Sequence, residues 1–277
     1  MSVLLVTGGG TGIGAAVAGQ AAREGHAVVI CGRRERPLQA VAERTGAAPI
    51  VADMARPDEV ARTIAAAVER YGRLAGVVDN AGIMRAGSAL DVSVDDWDAV
   101  MATNPRAAFL LLREPLPHLL DSRAAVVAVS SIAALRASSG AAAYATAKAG
   151  LTMLTQTVAV DFGPRGVRAN VVCPGWVRTE MADAEMAEFG ATGGLSREAA
   201  YAEVTRLVPQ RRPADPGEVA AAVLWLLGPQ ASYVNGAVLT VDGGTTLVDA
   251  GTVPYDFRFS AREWPGPDCP AGRSPSG

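Results

Sequence analysis

The chain has 277 residues, 49% of them hydrophobic, enough to bury a large core and close to the upper limit for one domain. Its 25 Lys and Arg against 28 Asp and Glu leave a net charge of −3 with no sustained basic run, which argues against nucleic acid and for a small-molecule ligand. Three scattered cysteines (Cys31, Cys173 and Cys269) and two histidines lack metal-ligand spacing, and "SVLLVTGGG" at the start lacks the basic region and apolar length of a signal peptide or membrane span; a cytoplasmic chain without disulfides, metal or membrane contact is expected.

Short β-branched runs alternate with Ala-rich helical stretches along the chain. In order they are "VLLV", "GAAVAGQAAREG", "AVVIC", "PLQAVAERTG", "APIVA", "PDEVARTIAAAVERYG" and "LAGVVD". There follow "DDWDAVMATNPRAAFLLL", "AAVVAVS", a helix holding "YATAK", "VRANVVC", "PGEVAAAVLWLLG" and "GAVLTV". Strands this uniformly apolar are buried on both faces, which requires helices above and below a mainly parallel sheet. The pattern predicts a doubly wound α/β fold of seven strands. Two long breaks interrupt it, Arg178 to Pro213 and everything after Gly244.

The turn after the first strand reads "TGGGTGIG", with Gly8, Gly12 and Gly14 in G-x-x-x-G-x-G spacing. Glycines between a strand and a helix let the backbone approach a pyrophosphate, whose charge the helix N-terminus favours; a tight connection without a ligand would use the same residues. Further on, Tyr144 and Lys148 lie four apart in "AAAYATAKAG", one helical turn apart on one face. A surface helix with a half-buried Tyr and a solvated Lys would show this spacing. The sharper reading is electrostatic: a cation at ~4 Å in an effective dielectric of ~20 favours phenolate by about 4 kcal/mol, or roughly 3 pK units, before desolvation opposes it.

Three more motifs occur in order: "DNAG" at Asp79 to Gly82, "VSS" at Val129 to Ser131, and "NVVCPGWVRT" at Asn170 to Thr179. With the glycine turn and "YATAK" they make the chain resemble the short-chain dehydrogenase/reductase family, its 3-oxoacyl-reductase-like single-domain branch, from about Ser2 to Gly244. The resemblance implies a Rossmann-type sheet in one catalytic domain over 1–244. It implies that Tyr144 is the general acid in ketone reduction or the base in alcohol oxidation, that Lys148 lowers its pKa and binds the nicotinamide ribose, and that Ser131 holds the substrate oxygen. Strand alternation points Ser130 the other way. Asn104 resembles the helix asparagine that holds a relay water. Pro105 beside it departs from the pattern and predicts a kink. Asp79 departs as well, where the family more often has Asn.

The same resemblance assigns cofactor contacts to Gly8, Gly10, Thr11, Gly12, Ile13 and Gly14, to Asp53 and Met54, to Asn80, Ala81 and Gly82, and to Pro174, Gly175, Val177 and Thr179. Asp53 alone would otherwise read as a strand-end cap. The second strand ends in "CGRRER": Gly32 stands where an acid would hold the 2′-hydroxyl of NAD, and Arg33 and Arg34 follow with guanidinium forks suited to a phosphate. NADP(H) is therefore favoured over NAD(H), although an Arg pair on a loop is often only a solvated face.

The expected activity is interconversion of a ketone and a secondary alcohol. Alternatives are an NAD(H)-dependent enzyme of the same family, a non-catalytic dinucleotide sensor, and a sugar-nucleotide epimerase, whose larger C-terminal domain the short tail cannot supply. The segment 178–213 is expected to be a substrate lid, lined by Trp176, Met181, Met186, Phe189 and Leu195 unless these form a core beneath it. Arg136 is a candidate for an anionic substrate group, or a surface arginine. The family pairs the Tyr144 helix and the long helix before it across a two-fold axis, so a homo-oligomer, a tetramer, is expected. In the 245–277 extension, Tyr255, Phe257, Phe259 and Trp264 suggest a segment packed across a subunit boundary, and "PGPDCPAGRSPSG" a flexible end.

Overall fold

The computed structural model describes residues 2–249 and 251. The segment holding Tyr255, Phe257, Phe259 and Trp264 lies outside the described residues.

Seven strands form one sheet in the order β3-β2-β1-β4-β5-β6-β7, and every pairing is parallel. They are β1 (Ser2–Thr7), β2 (Ala27–Gly32), β3 (Ala48–Val51), β4 (Arg73–Asp79), β5 (Ala125–Val129), β6 (Arg168–Pro174) and β7 (Val238–Val241). Alternation sends successive side chains to opposite layers. Leu4, Val6, Val28 and Ile30 pack with α1 (Gly12–Arg23), α2 (Glu35–Thr45) and α10 (Pro216–Leu227). Val3, Leu5, Val29 and Cys31 meet the other layer, built from α3 (Pro57–Tyr71), α5 (Ala107–Arg113), α6 (Leu116–Ser122) and α7 (Ala142–Phe162). Both faces are dry, which is why these strands read as unbroken apolar runs rather than alternating ones.

The kink expected at Pro105 takes a specific form. Between α4 (Val94–Met101) and α5 the backbone widens into a π-helical turn over Ala102–Arg106. Pro105 has no amide hydrogen and its ring crowds the carbonyl four residues back, and a wider turn relieves both problems. Between β6 and α10 stand α8 (Glu180–Gly193) and α9 (Arg197–Val204), which share a small core of Ala182, Met186, Ala200 and Tyr201. Among the described residues no helix is long and apolar enough to cross a membrane.

Candidate active site

The strand order reverses around β1, whose chain continues to β2 and β3 on one side while β4 pairs on the other. Open parallel sheets place a crevice at the carboxyl ends beside such a reversal. Here a cleft of about 660 Å³ runs from the turn after β1 to α7 and α8.

The glycine turn forms one end. Gly8, Gly10, Thr11, Gly12 and Ile13 line the cleft. Gly8 (φ 63°) and Gly12 (φ 53°) occupy the left-handed region that side chains disfavour. Gly14 does not line the cleft; a Cβ there would strike the Gly8 carbonyl and sit 2.6 Å from Asn80 Nδ2, so its smallness serves the packing of helix against turn. Asn80 braces the turn, its Nδ2 donating to the carbonyls of Thr7 (3.0 Å) and Gly8 (3.3 Å). Thr11 holds the N-cap position of α1 without capping it through its side chain, so the first-turn amides that every helix start leaves unpaired face an anion site. This arrangement fits a dinucleotide pyrophosphate.

Beyond β2, both arginines line the cleft but differ in engagement. Arg34 makes a two-pronged pair with Glu180 at the start of α8 (2.8 and 2.7 Å) and reaches Thr11 Oγ1 at 3.3 Å. Arg33 has no hydrogen bond or ion pair among the described residues. Asp53 and Met54 lie at the end of β3; Asp53 accepts from the Ala55 amide at 3.0 Å, so it caps its turn while lining the cleft. Asn80, Ala81 and Gly82 after β4, and Pro174, Gly175, Trp176, Val177 and Thr179 after β6, complete the walls.

At the far end stand Ser131, Tyr144 and Lys148. Both serines after β5 border the cleft, but their hydrogen bonds differ. Ser131 turns into the cleft, its Oγ accepting from the Ala133 amide at 3.1 Å. Ser130 is buried, donates to the Lys148 carbonyl at 3.0 Å and accepts from Thr152 Oγ1 at 2.9 Å, fastening α7 to the strand end. The Lys148 ammonium donates to the Val129 carbonyl at 2.9 Å and lies 5.7 Å from the centre of the Tyr144 ring.

Electrostatics here differ from the expectation that Lys148 depresses the phenol. Burial pushes Tyr144 up to about 12; the nearby Ser131 hydroxyl opposes this, and the charges of Glu185 and Cys173 reinforce it. Lys148 is itself held below the usual ammonium range by burial, with Asp79 restoring part of the loss. Asp79, at 5% exposure, is pushed up to about 6 by burial against the opposing pull of Lys148 and the Thr7 hydroxyl. Burial therefore outweighs any help from the lysine at the phenol.

Several expected residues lie elsewhere. Asn104 is buried behind the wall, and its amide is occupied by Ile83, accepting from the amide at 2.9 Å and donating to the carbonyl at 2.9 Å. Met186 faces inward to the α8–α9 core, because helical phase sets Ala182, Met186 and Gly190 on the buried side. Phe189 and Leu195 are exposed and do not line the cleft. Arg136 points to the Val248 carbonyl at 3.5 Å rather than into the cleft. Met181 and Trp176 do line it. Two acids were missed, Glu180 and Glu185, which occupy the cleft side of α8. Met181 and Glu185 are one turn apart, so helical spacing carried the signal; a choice by hydrophobicity passed over it.

A parallel sheet whose switch-point crevice starts at a glycine turn is the framework of the dinucleotide-binding oxidoreductases. The comparisons carry this to a family. Residues 8–246 match the family model described as enoyl-(acyl carrier protein) reductase. The chain is 42% identical to Protein MoaE of Klebsiella aerogenes over 91% of its own length and 98% of that protein's. It is 36% identical to the A-factor type gamma-butyrolactone 1'-reductase (1S-forming) of Streptomyces virginiae, over 89% and 96%. A variant of actinorhodin polyketide ketoreductase solved with NADPH superposes with a TM-score of 0.84 at 31% identity, over 88% of this chain and 96% of that one. The chain belongs to the short-chain dehydrogenase/reductase family and is an oxidoreductase of that family.

Proposed function

We propose that the protein interconverts a ketone and a secondary alcohol with NADP(H), using Tyr144 as the proton donor and acceptor. The observation that carries this reading is the meeting of Ser131, Tyr144 and Lys148 at the end of the cleft opposite the glycine turn. When bound, the nicotinamide supplies or takes the hydride. The glycine turn and the α1 amides would hold its pyrophosphate, and Lys148 would hold its ribose. In the reductive direction the Ser131 hydroxyl and the phenol donate hydrogen bonds to the carbonyl oxygen, and Tyr144 surrenders its proton as negative charge grows there. A phenol pushed up to about 12 is fully protonated at neutral pH, the form that reduction requires.

NADP(H) is favoured because Arg33 is unpaired among the described residues at the end of β2, where Gly32 leaves no carboxylate to receive a 2′-hydroxyl. The solved NADPH-bound relative supports the same choice. Residues 178–213 act as the lid, with Met181 and Trp176 on its inner side. Initial rates of NADPH and NADH oxidation against a panel of ketones test the reading; turnover with NADPH at a lower KM supports it, whereas a clear preference for NADH would move the assignment to NAD(H).

A further inference from the structure

Glu185 projects from α8 into the reacting end of the cleft, close enough to Tyr144 that its charge favours the neutral phenol. It is partly buried, and it has neither a hydrogen bond nor an ion pair among the described residues. Three of the acids around it are engaged, whereas Glu188 on the next turn of α8 is exposed and has no ion pair among the described residues. Glu180 is paired with Arg34, Asp183 accepts from Tyr201 at 2.9 Å, and Glu198 is paired with Arg178. The nearby arginines are spent in the same way, Arg178 on Glu198 and Arg197 on Asp183, while the Lys148 ammonium donates to the Val129 carbonyl. Glu185 therefore brings a carboxylate without an ion-pair partner among the described residues to the wall of the cleft.

We propose that Glu185 makes the enzyme select carbonyl and alcohol substrates that carry an ammonium group near the reacting carbon. A carboxylate left half-buried without a partner is unfavourable, and a substrate cation that pairs with it as the lid closes turns that deficit into selectivity. Ser138, Ser139 and Trp176 line the same cleft and offer hydroxyl acceptors and an aromatic face to a cationic group. Burial and Glu188 hold the free Glu185 carboxyl above the usual range, so a bound cation also draws it into its ionised form.

The inference rests on the ketone and alcohol reading, and the test separates the two. Matched ketones would be compared at pH 7, one bearing a terminal ammonium, one a methyl in its place and one a hydroxyl. The wild type is expected to favour the ammonium ketone over the methyl ketone by at least about tenfold in kcat/KM, and Glu185→Gln to bring that ratio close to one. Using the ratio within each variant removes any general loss of activity. In parallel, calorimetry with NADP+ present would measure binding of a saturated amino alcohol, with about tenfold weaker binding expected in Glu185→Gln. A wild-type ratio of one, a ratio that Glu185→Gln leaves unchanged, or a preference for the hydroxyl ketone over the ammonium ketone would overturn the inference while neutral ketones still turned over. Absence of turnover with all three ketones, together with amino-alcohol binding that Glu185→Gln weakens, would instead sink the oxidoreduction of such ketones and leave the cation site standing.

Discussion

Asp79 shows how one side chain sets the electrostatics of the site. The fold holds this carboxyl at about 6, above its usual value, so the folded state binds its proton more tightly than the unfolded chain does. Stability from the protonated form is present at low pH and falls as pH rises through that window. Asp79→Asn lacks the titration. Its stability relative to wild type should therefore rise between pH 4.5 and pH 7, by on the order of 1–2 kcal/mol in denaturant midpoints converted to free energy. A difference that stays constant over the window, or that moves the other way, contradicts the placement of this acid. The departure of Asp79 from the family pattern was visible in the sequence. Its electrostatic influence on Lys148, 69 positions away in the chain, was not, because only the register of β4 on β5 and the docking of α7 bring the two near each other.

Elements, rather than single residues, decide which functional groups face the cleft. Strand alternation led to the expectation of opposite directions for the two serines after β5; both border the cleft, and their hydrogen bonds differ. Ser131→Ala is expected to reduce kcat by two to three orders of magnitude without changing the melting temperature. Ser130→Ala should leave the chemistry less affected but cost about 1–2 kcal/mol in stability, since it orphans the bonds from Thr152 and to the Lys148 carbonyl. The reverse pattern in kinetics and thermal melts would exchange their roles. The helix α8 was harder to read. Its buried phase depends on α9, whose position no local pattern reveals, and so Met186 was placed in the cleft and Glu185 was not. The arginine pair was half legible: chemistry named both, but only the fold ties Arg34 to Glu180. Arg33→Ala should raise KM for NADPH by tenfold or more and leave NADH nearly unchanged, and Arg34→Ala should affect the two cofactors more equally. Equal effects of Arg33→Ala on both cofactors would remove its 2′-phosphate role. The exposed Arg34–Glu180 pair itself adds less than about 1 kcal/mol, so its weight lies in tying the first turn of α8 to the glycine turn after β1.

At the scale of the whole molecule, the doubly wound sheet was fully legible, since apolar runs alternating with amphipathic stretches allow few other arrangements. The expectation of assembly concerns apolar side chains that two helices leave exposed. Phe109 on α5 is 47% exposed, and Met153 and Val160 on α7 are 63% and 76% exposed, on the helices expected to pair across a two-fold axis. We infer that this face is buried between copies, in a tetramer, and that Met153→Glu combined with Val160→Glu lowers the mass seen by light scattering to that of smaller species. A stable wild-type monomer at micromolar concentration would refute it. The tyrosine on that same α7 helix carries the central claim, and Tyr144→Phe tests it most directly because it deletes one hydroxyl and leaves the ring. Single-turnover reduction of a ketone by NADPH should slow by at least about a thousandfold in this variant, while the NADPH dissociation constant, read by nicotinamide fluorescence, stays within about threefold of wild type. A variant that keeps a third or more of the wild-type rate would contradict the assignment of Tyr144 as the proton donor.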